Sequence, residues 1–268
     1  MESGWAPGWD CHVHVFDGTA LVMPGHYQPA PRLLTDIEKV AQAHGCGRLV
    51  LVQPSVYGTN NSVLLHALKS SGARHRGVVV IEPSIGEAAL QHMHQLGVRA
   101  VRFNLVSPVG NGSGPEADFV ALAPRLRALG WHVQWYARPE HLAQVAALHA
   151  GSGLVPVLDH LAGLSVTSRP GLEQWRALEQ IARLGGWVKL SGWYRLGATA
   201  PYAGLDTTTA RVAALFGNRL LWGSDWPHTT FFTDTLPPYE STWAPVARVL
   251  DSACQKTVRE VAPLLLYA

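Results

Sequence analysis

Eight short apolar segments with strand character alternate with helical segments along this chain. Repeated strand–helix units at this spacing are typical of an α/β protein whose parallel strands close into a (β/α)8 barrel, the TIM barrel. No linker or change of composition divides the sequence, so we predict one domain spanning residues 1–268. The predicted strands are Asp10–Phe16, Arg48–Gln53, Gly77–Ile81, Ala100–Phe103, Trp131–Tyr136, Leu154–Leu158, Trp187–Leu190 and Leu220–Gly223.

One helix is predicted after each of the first seven strands, and two after the last. Thr35 is expected to cap the first helix, which runs to His44, with Glu38 completing a capping box. The other predicted helices are Ser62–Ser71, Glu87–Leu96, Ala117–Leu129, Pro139–His149, Leu172–Leu184, Thr207–Phe216, Trp243–Ser252 and Gln255–Leu265.

The composition excludes several classes of function. Hydrophobic residues make up 47% of the chain and charged residues 15%, which is typical of a soluble globular protein. A net charge of +2 without a Lys/Arg run argues against nucleic acid as a partner. No apolar run approaches the length of a membrane span, and Met1–Gly8 lacks the features of a signal peptide. Three scattered cysteines indicate free thiols, so we expect a cytoplasmic protein without a membrane partner.

The first predicted strand, Asp10–Phe16, carries Asp10, His12 and His14 at alternate positions. Because side chains alternate between the two faces of a strand, we expect all three to project from one face. Two imidazoles and a carboxylate on one face suit a metal ion or a reacting carbonyl. A second pair, His92 and His94, falls in a predicted helix, where residues two apart do not share a face, so we interpret that pair as solvent-facing.

In TIM barrels the reactive groups lie at the carboxyl ends of the strands and in the loops that follow. Polar side chains collect at those positions here, although each has a structural alternative. Asp225 could cap a helix, His160 could be a hydrogen-bonded core residue, Arg102 an ion-pair partner and Arg195 a solvated loop residue. The residues predicted to meet at this mouth are His12, His14, Ser55, Tyr57, Arg102, Tyr136, His160, Arg195 and Asp225.

Three motifs give these positions a family resemblance. The DxHxH of the first strand, the Asp159-His160 pair after the sixth and the WGSDWPH after the eighth together resemble the amidohydrolase superfamily. The similarity is greatest to its amidohydrolase-2 branch of lactone hydrolases. It covers nearly the whole chain, through segments such as LVQPSVYGTNN, VRFNLV and LGWHVQWY.

The resemblance implies an enzyme that hydrolyses a carboxylate-bearing cyclic ester of the pyrone or muconolactone type, such as 2-pyrone-4,6-dicarboxylate, in aromatic-compound catabolism. Asp225 would then be the general base that takes a proton from the attacking water. His12, His14 and His160 would polarise the lactone carbonyl and stabilise the oxyanion. The residues implied to bind the anionic substrate are Arg102, Tyr136, Arg195, Tyr27, Ser55 and His228.

The sequence departs from the family pattern at one binding position. The pyrone hydrolases carry a second basic residue six positions after the strand-four arginine, where this chain has Pro108. A charged hydrogen bond contributes about 1.5–3 kcal/mol. We therefore expect weaker binding of a second carboxylate, or a substrate with a single carboxylate, a sulfonate or another polar group.

A metal ion is the other open question. The ligands of a two-metal centre are missing, because the fourth strand ends in Arg102 and the fifth in Tyr136. One divalent ion, Zn or Mn, could still bind His12, His14, His160 and Asp225. An arginine in the mouth would oppose a dication. We therefore expect no required cofactor.

Two alternatives remain beside the metal-independent lactone hydrolase. One is a metal-dependent sugar lactonase or aromatic-acid decarboxylase of the same superfamily, and the other is a catalytically silent binding protein on a barrel scaffold. In the favoured reading the partner is a small anionic lactone. The sequence does not indicate an oligomeric state.

Overall fold

Eight parallel strands form one sheet in the order β1 to β8, and the predicted (β/α)8 barrel is confirmed. The computed structural model describes residues 4–24, 26, 28–106, 114–229 and 236–268. Their strands are largely buried on both faces, as expected of parallel strands covered by helices. The strands are β1 (Gly8–Val13), β2 (Cys46–Val52), β3 (Arg76–Val79), β4 (Val98–Asn104), β5 (His132–Tyr136), β6 (Pro156–Leu158), β7 (Trp187–Leu190) and β8 (Leu220–Trp222).

The helices follow the strands as predicted, with differences at their ends. The helices are α1 (Leu34–Ala43), α2 (Ser62–Ser70), α3 (Glu87–Gln95), α4 (Pro115–Ala128), α5 (Leu142–His149), α6 (Leu172–Arg183), α7 (Asp206–Phe216), α8 (Ala244–Val249), α9 (Ser252–Lys256) and α10 (Ala262–Tyr267). The two predicted C-terminal helices are thus three shorter ones, with a π-helical turn at Thr257–Val261. Among the described residues, no helix has the length and apolarity that crossing a membrane requires.

The predicted start of α1 is wrong by two residues. Leu33, not Thr35, precedes the helix, and its backbone N–H donates to Asp36 Oδ2 at 2.8 Å. Glu38 instead forms an ion pair with Arg74 and accepts from His75. The capping box predicted at Thr35 and Glu38 therefore does not form, because the helix begins two residues earlier, where the Asp36 carboxylate binds the Leu33 N–H.

The second histidine pair lies on α3, as predicted, but only one of the two faces solvent. His92 is exposed, whereas His94 is half-buried and its Nδ1 accepts from Trp131 Nε1 at 3.0 Å. Neither residue contributes to the barrel mouth. The pair is structural.

Apolar side chains fill the barrel in two layers. The inner layer packs side chains of alternate strand positions along the barrel axis, and the outer layer packs the strands against the helices. The last helix covers the amino-terminal end of the inner layer. Tyr267 of α10 stacks on Trp9 with ring centroids 6.2 Å apart, and its carbonyl accepts from Arg76 Nε at 2.8 Å. Only the opposite end of the barrel is left to bind a ligand along its axis.

The prediction that Asp10 shares a face with His12 and His14 is wrong. The pairing of β1 with β2 shifts register between Asp10 and Val13, so the strand contains an extra residue at that point. Asp10 pairs in register with Leu49, which belongs to the outer layer, and its Oδ2 accepts from Tyr239 Oη at 2.8 Å. A β-bulge re-aims the side chains that follow it. It therefore separates Asp10 from the two histidines.

Three buried histidines outside the mouth stabilise the fold in their neutral form. His75 Nδ1 accepts from the Leu49 backbone N–H, and His149 Nε2 accepts from Trp135 Nε1 at 2.8 Å. Protonation would abolish both hydrogen bonds. Burial lowers the pKa of His75 and His149 to about 4 and that of His132 to about 3.

We expect the free energy of unfolding to fall as the pH is lowered from 6.5 towards 4. In that window the unfolded chain binds protons that the folded chain excludes, at roughly 1.4 kcal/mol per pH unit for each histidine. Burial raises the pKa of Asp10 to about 6, so this one carboxyl group contributes to the slope with the opposite sign. Urea unfolding at several pH values measures the slope. His149→Leu should reduce it and exposed His92→Gln should not; an unchanged slope in the His149 variant would contradict the assignment.

Candidate active site

Ten of the eleven predicted site residues lie among the described residues, at the carboxyl ends of the strands or in the loops that follow. Tyr27, and also Pro108, lie outside the described residues. A cavity of about 240 Å³ opens at this end of the barrel. It contains predicted residues from five βα units. Its described lining residues are His14, His26, Pro54, Ser55, Val56, Arg102, Asn104, Val106, Tyr136, Arg195 and Thr229.

The loop after β8 is fastened to β1 by its backbone. Asp225 N–H donates to the His12 carbonyl at 2.9 Å, and His14 N–H donates to the Trp226 carbonyl at 2.9 Å. Asp225 adopts a φ of +59°, a left-handed conformation that is unusual for aspartate. These contacts close the barrel between β1 and β8, and they place the Asp225 side chain beside both histidines.

Gly223 permits this close approach. A Cβ at Gly223 would lie 2.5 Å from His12 Cβ and 2.8 Å from the His12 backbone nitrogen. Both distances are far below van der Waals contact. The absence of a side chain at Gly223 is therefore required for β8 to lie against β1 at the mouth.

The two oxygens of the buried Asp225 carboxylate have different surroundings. Oδ2 accepts from Arg195 Nε at 2.5 Å and from Tyr194 Oη at 2.7 Å. Oδ1 lies 3.3 Å from His14 Nε2 and 3.6 Å from His12 Nε2, and it accepts no hydrogen bond from the described part of the chain. Burial opposes ionisation of Asp225, but the Arg195 guanidinium holds its pKa well below the usual value. Asp225 is thus an ionised carboxylate with one available oxygen.

The three predicted histidines surround that oxygen. His14 Nδ1 donates to the Val52 carbonyl at 2.7 Å, which leaves Nε2 to face Asp225. His160 contacts His12, with ring centroids 4.7 Å apart, and its Nδ1 lies 3.0 Å from Ser191 Oγ. Burial lowers the pKa of His160 to about 4 and that of His12 well below its usual value. Both rings are therefore neutral at physiological pH.

A second carboxylate, Asp159, lies below the histidines and was not predicted as a site residue. Its Oδ2 accepts from Arg102 Nε at 2.9 Å, and its Oδ1 lies 3.3 Å from His12 Nδ1. Burial opposes its ionisation, but His12 and Arg102 hold the pKa of Asp159 well below the usual value. The signal in the sequence was the Asp159-His160 pair itself, in which only the histidine was interpreted.

Three further polar residues at the mouth were also missed. Tyr194 hydrogen bonds Asp225, while Gln134 and Lys189 contact Asp159 from the barrel interior. Lys189 occupies the third position of the four-residue strand WVKL. A lysine inside an apolar parallel strand is the signal that could have indicated a buried ion pair.

The remaining predicted residues differ in their positions. Ser55 Oγ accepts from Asn104 Nδ2 at 2.9 Å on the cavity wall. Tyr136 lies beneath the Arg102 guanidinium, 5.0 Å from ring centroid to Cζ. His228 is buried against Tyr194, and no described residue hydrogen bonds either of its ring nitrogens. Predicted Tyr57 is buried away from the cavity and donates to the Asp17 carbonyl at 2.9 Å.

The donors at the mouth could hold a cation. One ligand atom each of His12, His160 and Asp225 lies within 4.8 Å of the other two, and all three residues are buried. Among the described residues, His12 Nε2 and Asp225 Oδ1 find no hydrogen-bond partner, as the ligands of a bound ion would not. The residues therefore fit a single divalent ion such as zinc.

The charges of the same network suit an anion. Lys189, Arg102 and Arg195 supply three positive charges to the two carboxylates, Asp159 and Asp225. This connected set thus has excess positive charge before any ligand binds. In a buried setting that excess attracts an anionic group and opposes a dication.

Comparison with known proteins assigns the family. The family model Amidohydro_2, described as amidohydrolase, matches residues 9–258. The chain belongs to this amidohydrolase family, and the predicted resemblance is confirmed.

Two curated relatives hydrolyse lactones according to their names. The 2-pyrone-4,6-dicarboxylate hydrolase of Comamonas testosteroni is 32% identical over 82% of this chain and 76% of its own length. The 4-sulfomuconolactone hydrolase of Rhizobium radiobacter is 29% identical, over 84% and 77% respectively. A crystal structure from Pseudomonas putida, described as a candidate 2-pyrone-4,6-dicarboxylic acid hydrolase, is 28% identical with a TM-score of 0.86 and covers 98% of this chain and 97% of its own.

We expect Gly223→Ala to damage both the fold and the mouth. The added methyl group would push β8 from β1 and should lower the free energy of unfolding by about 1–3 kcal/mol or more, as overpacking does. Urea unfolding measures the loss. Gly86→Ala is the matched control, since Gly86 has an ordinary φ of −73° and open space at its Cβ. Equal stability of the two variants would contradict the closure argument.

Proposed function

We propose that the protein hydrolyses an anionic lactone by attack of a water molecule that Asp225 deprotonates. The observation that carries this proposal is the asymmetry of the Asp225 carboxylate. One oxygen is held by Arg195 and Tyr194, and the other faces two imidazole nitrogens without a donor. A fixed, ionised carboxylate with one free lone pair at a cationic mouth suits a general base.

The reaction can be written with the groups that are present. Asp225 Oδ1 accepts a proton from water as the water oxygen bonds to the lactone carbonyl carbon. The carbonyl becomes an oxyanion, which the His160 imidazole and the Arg195 charge stabilise. The ring C–O bond then breaks, and Asp225 returns the proton to the leaving oxygen. The product is a ring-opened acid.

The cavity supports an anionic substrate. Arg102 and Arg195 line it together with Tyr136. Each of the two arginines binds a buried carboxylate through its Nε atom. A guanidinium that binds a carboxylate through Nε retains terminal N–H groups for a second partner. We assign these residues to a substrate carboxylate, with Ser55, His228 and Tyr27 as further contacts.

The substrate class follows from chemistry shared with the relatives. Their names specify a dicarboxylated pyrone and a sulfonated muconolactone, both of them anionic lactones. Pro108 replaces a basic residue of the pyrone hydrolase pattern. We therefore propose a pyrone or muconolactone, formed in the breakdown of an aromatic compound, whose second substituent is not bound by a charged side chain at position 108.

A metal ion is not required in this proposal. If a single zinc or manganese ion bound, His12, His14, His160 and Asp225 would hold it, and it would supply Lewis-acid activation of water or carbonyl. The cluster of His12, His160 and Asp225 favours the alternative, a metal-dependent sugar lactonase or aromatic-acid decarboxylase. The excess of positive charge around Asp225 favours the metal-free reaction.

Asp225→Asn should lower turnover by removing the base while keeping the shape of the side chain. Loss of a general base costs about 10²–10⁴-fold in kcat. The assay follows ring opening by absorbance with pyrone dicarboxylate, pyrone monocarboxylates, muconolactones and sugar lactones. Asp206→Asn, which removes only a surface ion pair with Arg248, is the control and should retain wild-type kcat. If only sugar lactones react, the proposed substrate class is wrong.

Removal of divalent metal should leave lactone hydrolysis unchanged. The purified protein is dialysed against EDTA, its zinc and manganese content is measured by elemental analysis, and kcat is compared before and after. A metal present in equimolar amount, whose removal abolishes activity and whose return restores it, would overturn the metal-free proposal in favour of the alternative.

A further inference from the structure

Lys189 is a buried cation beneath the mouth that the proposed reaction does not use. It lies in β7 without solvent exposure, and it is not among the described residues that line the cavity. An ammonium group in a barrel interior is costly unless it is paired, and burial lowers its pKa to about 8. An aliphatic side chain would fill this place at lower cost. The position of Lys189 therefore calls for a functional explanation.

The contacts of Lys189 fix the orientation of Gln134. Lys189 Nζ donates to Gln134 Oε1 at 2.6 Å. An ammonium group has only donors, so the carbonyl of the Gln134 amide must face it. The amide nitrogen then points the other way, where Nε2 donates to Asp159 Oδ2 at 3.0 Å. A flipped amide would place its own N–H groups against the ammonium.

Gln134 and Arg102 in turn fix Asp159. Both donate to Oδ2, while Oδ1 lies 3.3 Å from His12 Nδ1 and 3.8 Å from Lys189 Nζ. An ionised carboxylate only accepts hydrogen bonds, so the hydrogen of the His12 ring belongs on Nδ1. With one hydrogen on the ring, Nε2 carries a lone pair. That lone pair faces Asp225 Oδ1, 3.6 Å away.

Two hydrogen-bond acceptors this close together repel each other unless a donor binds both of them. A water molecule offers two, and with one directed to His12 Nε2 and the other to Asp225 Oδ1 its oxygen lone pair points away from both. The ring of His12 is held in place from the other side by His160, whose own ring packs over Gly192, where a Cβ would lie 2.3 Å from Nδ1.

We propose that Lys189 is a positioning residue for hydrolysis: through Gln134 and Asp159 it holds His12 in the Nδ1–H tautomer, so that His12 Nε2 and Asp225 Oδ1 together orient the attacking water. The role of the water rests on the proposed function, whereas the tautomer of His12 does not. As the water oxygen bonds to the carbonyl carbon, Asp225 takes one proton. The other hydrogen stays on the new hydroxyl group, which donates it in a hydrogen bond to His12.

The tautomer can be read without a substrate. Protein labelled with [15N]histidine is examined by long-range ¹H–¹⁵N correlation, and the His12 signals are identified by their loss in His12→Gln. We expect a protonated Nδ1 and an unprotonated Nε2 in the wild type. In Lys189→Met, the Gln134 amide is free to flip, so the Nδ1–H form of His12 should lose its dominance.

The kinetic effect should fall on kcat. Outer partners of metal-bound histidines typically contribute about 10–100-fold to activity, and we expect Lys189→Met to lose a factor of the same size on the best lactone of the panel. KM should change less than threefold, because Lys189 does not line the cavity. Gln134→Met removes the same link while retaining the lysine, and it should reproduce both effects if Lys189→Met fails to fold.

Val78→Ala is the matched control, since Val78 also lies buried in the inner layer but has no polar side-chain group that could hydrogen bond the network. It should lose stability while keeping the His12 tautomer and kcat. An Nε2–H tautomer in the wild type, or an unchanged tautomer and kcat in both network variants, would overturn the proposal. A chain with the expected tautomer that opens no lactone would contradict the proposed function alone.

Discussion

The backbone hydrogen bonds that join Asp225 to His12 and His14 to Trp226 are the constraint on which the rest of the mouth depends. Neighbouring strands of the barrel pair along their lengths, but β1 and β8 meet mainly through backbone bonds at residues 12–14 and 225–226. The contacts that close the barrel are therefore made by the residues that carry the chemistry. A displacement at this seam would move the base and two histidines together, and Gly223 is the position at which the seam tolerates no side chain.

The closure of the barrel between β1 and β8 also determines the electrostatics of the mouth. Asp225 and Asp159 are held in a water-poor interior, where an unpaired carboxylate would be costly. Arg195, Arg102 and Lys189 neutralise them and keep both ionised. The three positive charges exceed the two negative charges that they neutralise, so the mouth still attracts anions. The need to bury a base and the preference for an anionic substrate thus have one physical origin.

The sequence was sufficient for the barrel and for the principal groups of the mouth. Parallel strands covered on both faces are continuous apolar runs, so β7 was predicted with its observed ends and the others within a few residues. Because the carboxyl ends of all eight strands share one edge, His12, Arg102, His160 and Asp225 could be brought together without coordinates. Whether they act as proposed is a separate question that position alone does not answer.

The failures have identifiable causes. Asp10 was misplaced because a β-bulge depends on the register of two strands, which alternation within one strand does not reveal. The first helix begins two residues early because Asp36 binds the Leu33 N–H, an alternative to the expected pairing of Glu38 with Thr35. Gln134 and Lys189 were overlooked because they lie within predicted strands, where a polar residue looks like an exception to an apolar pattern. In this barrel those exceptions hold Asp159 and, through it, His12.

The metal-free reaction and the metal-dependent alternative would both use the same atom. Asp225 Oδ1 can accept a proton from water or coordinate a metal ion, and His12 Nε2 and His14 Nε2 face it in either case. The donor set alone therefore does not distinguish the two chemistries. The difference lies one layer further out, where Arg195 binds Oδ2 and Arg102 and Lys189 approach Asp159. Each of these cations disfavours a dication and stabilises the oxyanion that a water attack produces, so the outer layer favours the base.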